Sequence, residues 1–190
     1  MNQPFNDQPV EILIEHSLNQ DGTILDLRLK YLGDTGMKYI SKCTKLINLR
    51  ELKLERNDIT DEGIDALASS TIVNGLKSLN LERNSIRDKG AKLISQSPNF
   101  SHLTILNLWK NKIGIEGAKE IADSFMLINL ERLDLAQNKI GNEGGIALAN
   151  SQTLTALKYV DLFGNGMDEE AKITIRESQN FKALQHLVLE

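Results

Sequence analysis

The stretch LRELKLERNDITDEGIDALA, residues 49–68, decides the fold. Residues 51–55 alternate polar and apolar, the period-two signature of a half-buried strand, with Leu52 and Leu54 on one face and Glu51, Lys53 and Glu55 on the other. Asn57 ends the strand and Ile59 turns inward. Thr60 or Asp61 is then placed to cap a helix, and Glu62 falls in its first turn, where an acid suits the positive end of the helix dipole. Ile64, Leu67 and Ala68 stand at i, i+3 and i+4 and make one apolar helical face. Ser69 to Gly75 returns the chain, with Val73 inward, to the next strand.

A unit this short cannot bury its own apolar face, but stacked copies can, and the chain repeats it every 27 residues without insertion. The first strand leucine recurs as Leu25, Leu52, Leu79, Leu106, Leu133, Val160 and Leu187, and the second as Leu27, Leu54, Leu81, Leu108, Leu135, Leu162 and Leu189. The helix column reads Ile40, Leu67, Ile94, Ile121, Leu148 and Ile175; the return column reads Leu46, Val73, Phe100, Leu127, Leu154 and Phe181. Each such side chain, once fully buried, contributes roughly 1.5–3 kcal/mol. A fixed period of this length predicts a solenoid. A glycine column, Gly36, Gly63, Gly90, Gly117 and Gly144, sits in the first helical turn, with Ala171 in the sixth copy. Glycine costs about 1 kcal/mol inside a helix, so its recurrence predicts a close backbone contact with no room for a Cβ.

These columns resemble the leucine-rich repeat pattern LxxLxLxxNxIxxxGxxxLA over about 165 residues. With a helix in each 27-residue copy, the chain is most similar to the ribonuclease-inhibitor-like subfamily, which includes the Ran GTPase-activating protein. The resemblance implies an α/β solenoid, a horseshoe segment with a curved parallel sheet on the concave side and helices on the convex side. It also implies that Asn57, Asn84, Asn111, Asn138 and Asn165 form a structural ladder, bonding the backbone of neighbouring turns. Lys30 stands at the equivalent place in the first copy, where a terminal unit is expected to be atypical.

Residues 1–21 are expected to provide an N-terminal capping helix, centred on residues 10–18, and residues 22–190 seven repeats, the last truncated after its strand. Three readings of the uncovered C-terminal end stand: a longer array, a covering chain (self-association included), or a frayed end.

Function is expected in the outward strand positions. Trp109, the one tryptophan, shares that face with Tyr159 and Phe163, although aromatic residues are only 5% of the chain. With Arg132, Asp134 and Asp161 they match the composition of a binding hot spot; against this, Trp109 can simply pack along the sheet over Ala136. Arg56, Arg83 and Lys110 line up beside Glu55 and Glu82, readable as a self-compensating charged face or as a basic stripe for phosphate or an acidic partner. Asp134 and Asp161 lie one repeat apart, roughly 4.8 Å across neighbouring strands, close enough to raise one pKa.

Little points to chemistry. His16, His102 and His186 fall in different repeats and columns, and no metal-binding, nucleophile-elbow or phosphate-loop motif occurs. Gly141 to Gly145 follows the repeat's own turn. The expectation is a non-enzymatic module that binds a protein on its concave face, without cofactor or metal. The alternatives are a regulator of small GTPases, from the subfamily resemblance alone, and the recognition part of a longer effector or ligase. A net charge of −4 and a pI near 5.5 argue against nucleic-acid and anionic-membrane partners. A single cysteine, Cys43, excludes an intrachain disulfide and favours a reducing compartment. Residues 1–8 lack a secretory pattern and no window is long and apolar enough to span a membrane, so the expected location is the cytoplasm, or a host cytosol for a delivered effector. The sequon at Asn99 is expected to be unmodified.

Overall fold

The computed structural model describes residues 8–182 and 184–190; the first seven residues of the expected cap lie outside it. Short strands alternate with helices in chain order: α1 (Val10–Ser17), β1 (Ile24–Asp26), α2 (Gly33–Ile40), β2 (Glu51–Lys53), α3 (Asp61–Ala68), β3 (Ser78–Asn80), α4 (Asp88–Gln96) and β4 (Ile105–Asn107). The order continues through α5 (Ile115–Ala122), β5 (Arg132–Asp134), α6 (Gly141–Ala149), β6 (Tyr159–Asp161), α7 (Glu169–Glu177), α8 (Gln179–Lys182) and β7 (His186–Val188). The seven strands make one parallel sheet in sequence order. Its register is the sequence period: Leu25 faces Leu52, Leu52 faces Leu79, and Leu106 faces Leu133. The result is an open α/β solenoid, sheet on the concave side and helices on the convex side.

The columns are the core. Leu52, Leu79, Leu106 and Leu133 on the sheet, Leu67, Ile94 and Ile121 on the helices, and Phe100 in a return loop are all 0% exposed. No helix among the described residues is long and apolar enough to cross a membrane.

Polar ladders hold successive repeats in register. Asn111 donates from Nδ2 to the Leu81 carbonyl one repeat back and to its own Leu108 carbonyl, both at 3.0 Å, and its Oδ1 accepts the Ile86 amide at 3.1 Å. Asn84, Asn138 and Asn165 repeat the arrangement, and Asn57 reaches Leu27 and accepts the amides of Lys30 and Leu32. A second ladder runs through the return loops. Ser70, Ser97, Ser124 and Ser151 each donate from Oγ to a carbonyl of the preceding repeat at 2.5–2.6 Å. Cys43 holds the corresponding place in the first loop.

A third ladder bears on three of the five column glycines. Asp34 Oδ1 accepts the amides of Thr60 and Gly63, Asp61 Oδ1 those of Arg87 and Gly90, and Asp88 Oδ1 that of Gly114. Each carboxylate therefore caps the helix of the next repeat, where the dipole favours an anion. A Cβ at Gly63, Gly90 or Gly117 would stand 2.5–2.7 Å from that carboxylate. At these three the excluded contact is thus an incoming acid together with an isoleucine Cγ2 at 2.6–2.8 Å, and backbone, Asp88 Cα at 3.0 Å, joins it at Gly117; at Gly36 it is the Leu32 side chain and at Gly144 those of Ala118 and Ile140. Thr60 caps its own helix, accepting from Glu62, while Asp61 serves the following one.

Past each strand the chain turns through a left-handed residue: Leu29 (φ 60°), Arg56 (54°), Arg83 (53°), Lys110 (54°), Gln137 (53°) and Gly164 (69°). For a non-glycine residue this conformation costs roughly 1–2 kcal/mol. The five non-glycine residues donate their amides to the next repeat, Lys110 to Ala136 at 2.8 Å and Arg56 to Glu82 at 2.9 Å, so the sheet bonding continues into the turn and offsets the strain.

At the N-terminal end, α1 buries Leu13 and Ile14, and Leu18 forms an antiparallel bridge with Leu25. Asn99 of the sequon donates from Nδ2 to the carbonyls of Leu67, Ala68 and Ser70 in the preceding repeat.

Candidate protein-binding face

Strand alternation sends Ile105, Arg132 and Tyr159, with Asn107, Asp134 and Asp161, away from the core on β4, β5 and β6. Beyond the strands, Trp109, Ala136 and Phe163 occupy the same outward column one residue before the left-handed turn.

These residues do not share one exposure. Phe163 is 43% exposed and Ile105 40%. Trp109 and Tyr159 are only half-buried positions rather than free solvent-facing rings, and Ala136 is 4% exposed. Each ring carries a cation. The Arg83 guanidinium lies over Trp109, 4.9 Å from the ring centroid, and that of Arg132 lies 4.1 Å from the centroid of Tyr159. Tyr159 also stands 6.2 Å, centroid to centroid, from the His186 ring and donates its hydroxyl to Asp161 Oδ2 at 3.3 Å. Trp109 therefore packs along the sheet while still presenting part of its surface. Phe163, two strands or roughly 10 Å further on, is the most exposed ring of the three.

The carboxylates have local duties. Asp134 Oδ1 accepts the Ala136 amide at 3.0 Å and Asp161 Oδ1 that of Phe163 at 2.9 Å; Asn107 and Asn80 do the same one and two repeats before Asp134. A short acceptor here closes the strand into its turn. Asp134 and Asp161 are also direct cross-strand partners. Burial pushes the Asp134 carboxyl up from 3.8 to about 6, the Ala136 amide opposes the rise, and the charge of Asp161 adds to it. Burial likewise raises the Tyr159 phenol, with the Asp161 charge next.

Because the folded-state pKa of Asp134 exceeds its unfolded value, its protonation favours the native state. That contribution is complete below about pH 4 and is lost as pH rises through about 6. Asp134→Asn keeps the acceptor for Ala136, as Asn107 does naturally, and removes the charge. The variant is expected to melt higher than the wild type at pH 7.5, with the gap closing by pH 4; thermal melts at the two pH values check this.

Of the basic residues, Arg83 is committed to Trp109 and lies 3.4 Å from Glu82, although no acceptor meets its Nε in hydrogen-bond geometry among the described residues. Glu55 accepts from Asn80 Nδ2, and burial raises its pKa. Arg56 and Lys110 are exposed and stand in no ion pair among the described residues, so within them the row is compensated at Arg83 alone. His16, His102 and His186 remain in separate repeats, and the described residues contain no group of acids, histidines and cysteine able to hold a metal. Ile105 is the site residue easiest to overlook: an isoleucine in an outward column, visible in the sequence as an apolar residue where the pleat expects a polar one.

The family model and one solved structure agree with this architecture. A family model described as "Leucine Rich repeat" matches residues 45–68, 76–95, 101–122 and 127–149. Among solved structures, an internalin (InlF) from Listeria monocytogenes is similar over 80% of this chain and 37% of its own, at 22% identity and a TM-score of 0.58. The yeast Rad7 and Elc1 complex is similar over 88% of this chain and 62% of the other, at 15% identity and a TM-score of 0.38. The chain thus spans less than two thirds of either structure, and the internalin likeness bears on the fold alone. No curated protein matches in sequence. Four matched repeats, set in a sheet that carries the same 27-residue period through all seven strands, give this chain the fold of a leucine-rich-repeat solenoid.

Proposed function

We propose that the chain is a non-catalytic recognition module that docks a protein partner on its concave face. Trp109, Tyr159 and Phe163 are its anchors; Arg83, Lys110, Arg132, Asp134 and Asp161 provide the polar surround. The observation that carries this reading is the exposure of Phe163 (43%) and Ile105 (40%) beside two rings already braced by arginines. Braced aromatic side chains lose little entropy on binding, which favours them as anchors. Seven strands span roughly 29 Å, matching a standard interface of about 800 Å² per partner; an open sheet offers a small molecule little enclosure.

Within the same proposal, residues 1–21 cap the first of seven repeats that fill residues 22–190. The 27-residue period with a helix in each of the first six copies supports the ribonuclease-inhibitor-like subfamily, and the unpaired thiol of Cys43 supports a reducing cytoplasm.

Alanine at Trp109 and Phe163 is expected to weaken capture of the partner at least about tenfold, the effect of losing one hot-spot anchor of about 2 kcal/mol or more. Phe163→Ala should leave the melting temperature nearly unchanged, because the ring is exposed. Affinity capture from lysate with wild type and variants in parallel tests this. Undiminished capture by both folded variants would place the interface elsewhere.

A further inference from the structure

The turns that leave the strands line one edge of the solenoid, and in the middle repeats that edge is cationic. Arg56, Arg87, Lys110, Lys112 and Lys139 are exposed there. Lys112 Nζ meets Ser85 Oγ of the preceding turn at 3.1 Å. None of the five stands in an ion pair among the described residues.

Charge separation by the fold produces this edge. In sequence the turns look balanced, because Asp61 and Asp88 alternate with the bases. In the structure those carboxylates point inward, Asp61 onto the amides of Arg87 and Gly90 and Asp88 onto that of Gly114. Their charge is held at helix N-termini, while the ammonium and guanidinium groups remain outside without a counter-charge. Asp58, two residues after Arg56 and in the column of Lys112 and Lys139, is an exposed acid at the N-terminal end of this edge, so its cationic part runs from Arg87 to Lys139.

We propose that this edge binds an acidic, Asp/Glu-rich segment of a protein partner. Neighbouring turns follow the strand spacing of roughly 4.8 Å, so the turns from Arg56 to Lys139 span roughly 14 Å, the length of about four to five residues of extended chain; the long, flexible cationic side chains reach a segment laid across them. The turns are already fixed by the asparagine ladder and by the left-handed residues Arg56 and Lys110, so little backbone entropy opposes docking. Glu82, Asp134 and Asp161 on the adjoining sheet repel a polyanion that spreads beyond the edge. A narrow acidic strand fits that boundary better than a nucleic acid does.

Fluorescence anisotropy of a labelled polyglutamate peptide tests the proposal. The wild type is expected to bind at low ionic strength and to lose affinity toward 0.15 M salt, as the Debye length falls from about 30 to about 8 Å. The triple variant Lys110→Glu, Lys112→Glu, Lys139→Glu should bind at least about tenfold more weakly at an unchanged melting temperature, since all three side chains are exposed. A glutamine version of the triple variant should also bind more weakly than the wild type. Trp109→Ala with Phe163→Ala should bind the peptide as the wild type does, which separates this edge from the sheet face. Equal binding by wild type and the charge-reversed variant would overturn the proposal. So would a single-stranded oligonucleotide that displaces the peptide at lower concentration.

Discussion

Asn111→Ala is expected to destabilise the protein by about 3 kcal/mol, which at this chain length lowers the melting temperature by about 6–12 °C. The side chain is 8% exposed and serves three backbone groups in two repeats: the Leu81 and Leu108 carbonyls and the Ile86 amide. Alanine leaves the Ile86 amide without its acceptor where little water can reach it, and takes one of two side-chain donors from the Leu81 and Leu108 carbonyls, which keep Asn84 and Asn138. The cost is therefore chiefly the desolvation of one orphaned amide, to which two lost hydrogen bonds add. Asn111→Asp is an informative companion: it keeps the acceptor for Ile86 and replaces the amide donor by an acid beside two carbonyls. It should also destabilise, and more at pH 7 than at pH 3, where a protonated carboxyl can donate. An unchanged melting temperature for Asn111→Ala, measured by circular dichroism, would contradict the ladder.

Gly90→Ala is the second large effect, about 2–4 kcal/mol. The new methyl would stand 2.5 Å from Asp61 Oδ1 and 2.6 Å from Ile86 Cγ2. Asp61 cannot retreat without releasing the amides of Arg87 and Gly90, so overpacking and loss of a helix cap come together. A thermodynamic cycle isolates the cause. In an Asp61→Ala background the carboxylate is gone and only Ile86 must yield, so the same glycine substitution should cost less by about 1 kcal/mol or more. Strict additivity would mean that the carboxylate does not set the glycine column.

Much of the fold is legible because burial repeats. Leucines at 27-residue spacing can be read from the chain alone, since each must meet its copies, and the sheet register follows from the same count. The asparagines are legible too, as lone polar residues in a fixed place among apolar ones. The serine ladder is equally periodic yet hidden in plain view, because Ser70, Ser97, Ser124 and Ser151 look like ordinary turn residues until their Oγ atoms are placed on the carbonyls of the preceding repeat. The aspartate ladder is harder still. Asp61 is a natural cap for its own helix, and the sequence does not say that it reaches the next one.

The outward face is less legible for a related reason. Exposure there depends on which neighbours lean over a residue. Ala136, in an outward column, is covered, while Phe163 in the same column is not. Arg83 and Lys110 share a column, yet one is drawn over Trp109 and the other is left in solvent. Two-residue alternation fixes the direction of a side chain, not its company.

The central claim is that the regular columns build the scaffold and the sheet face does the recognition. It is tested most directly by a photo-crosslinking amino acid placed at Phe163, and in a second protein at Phe125. Phe125 is 76% exposed but lies in the loop after α5, among helix-side residues such as Glu120 and Asp123. Irradiation in lysate is expected to trap the partner from position 163 and not from position 125. A partner trapped from position 125 alone would contradict the account.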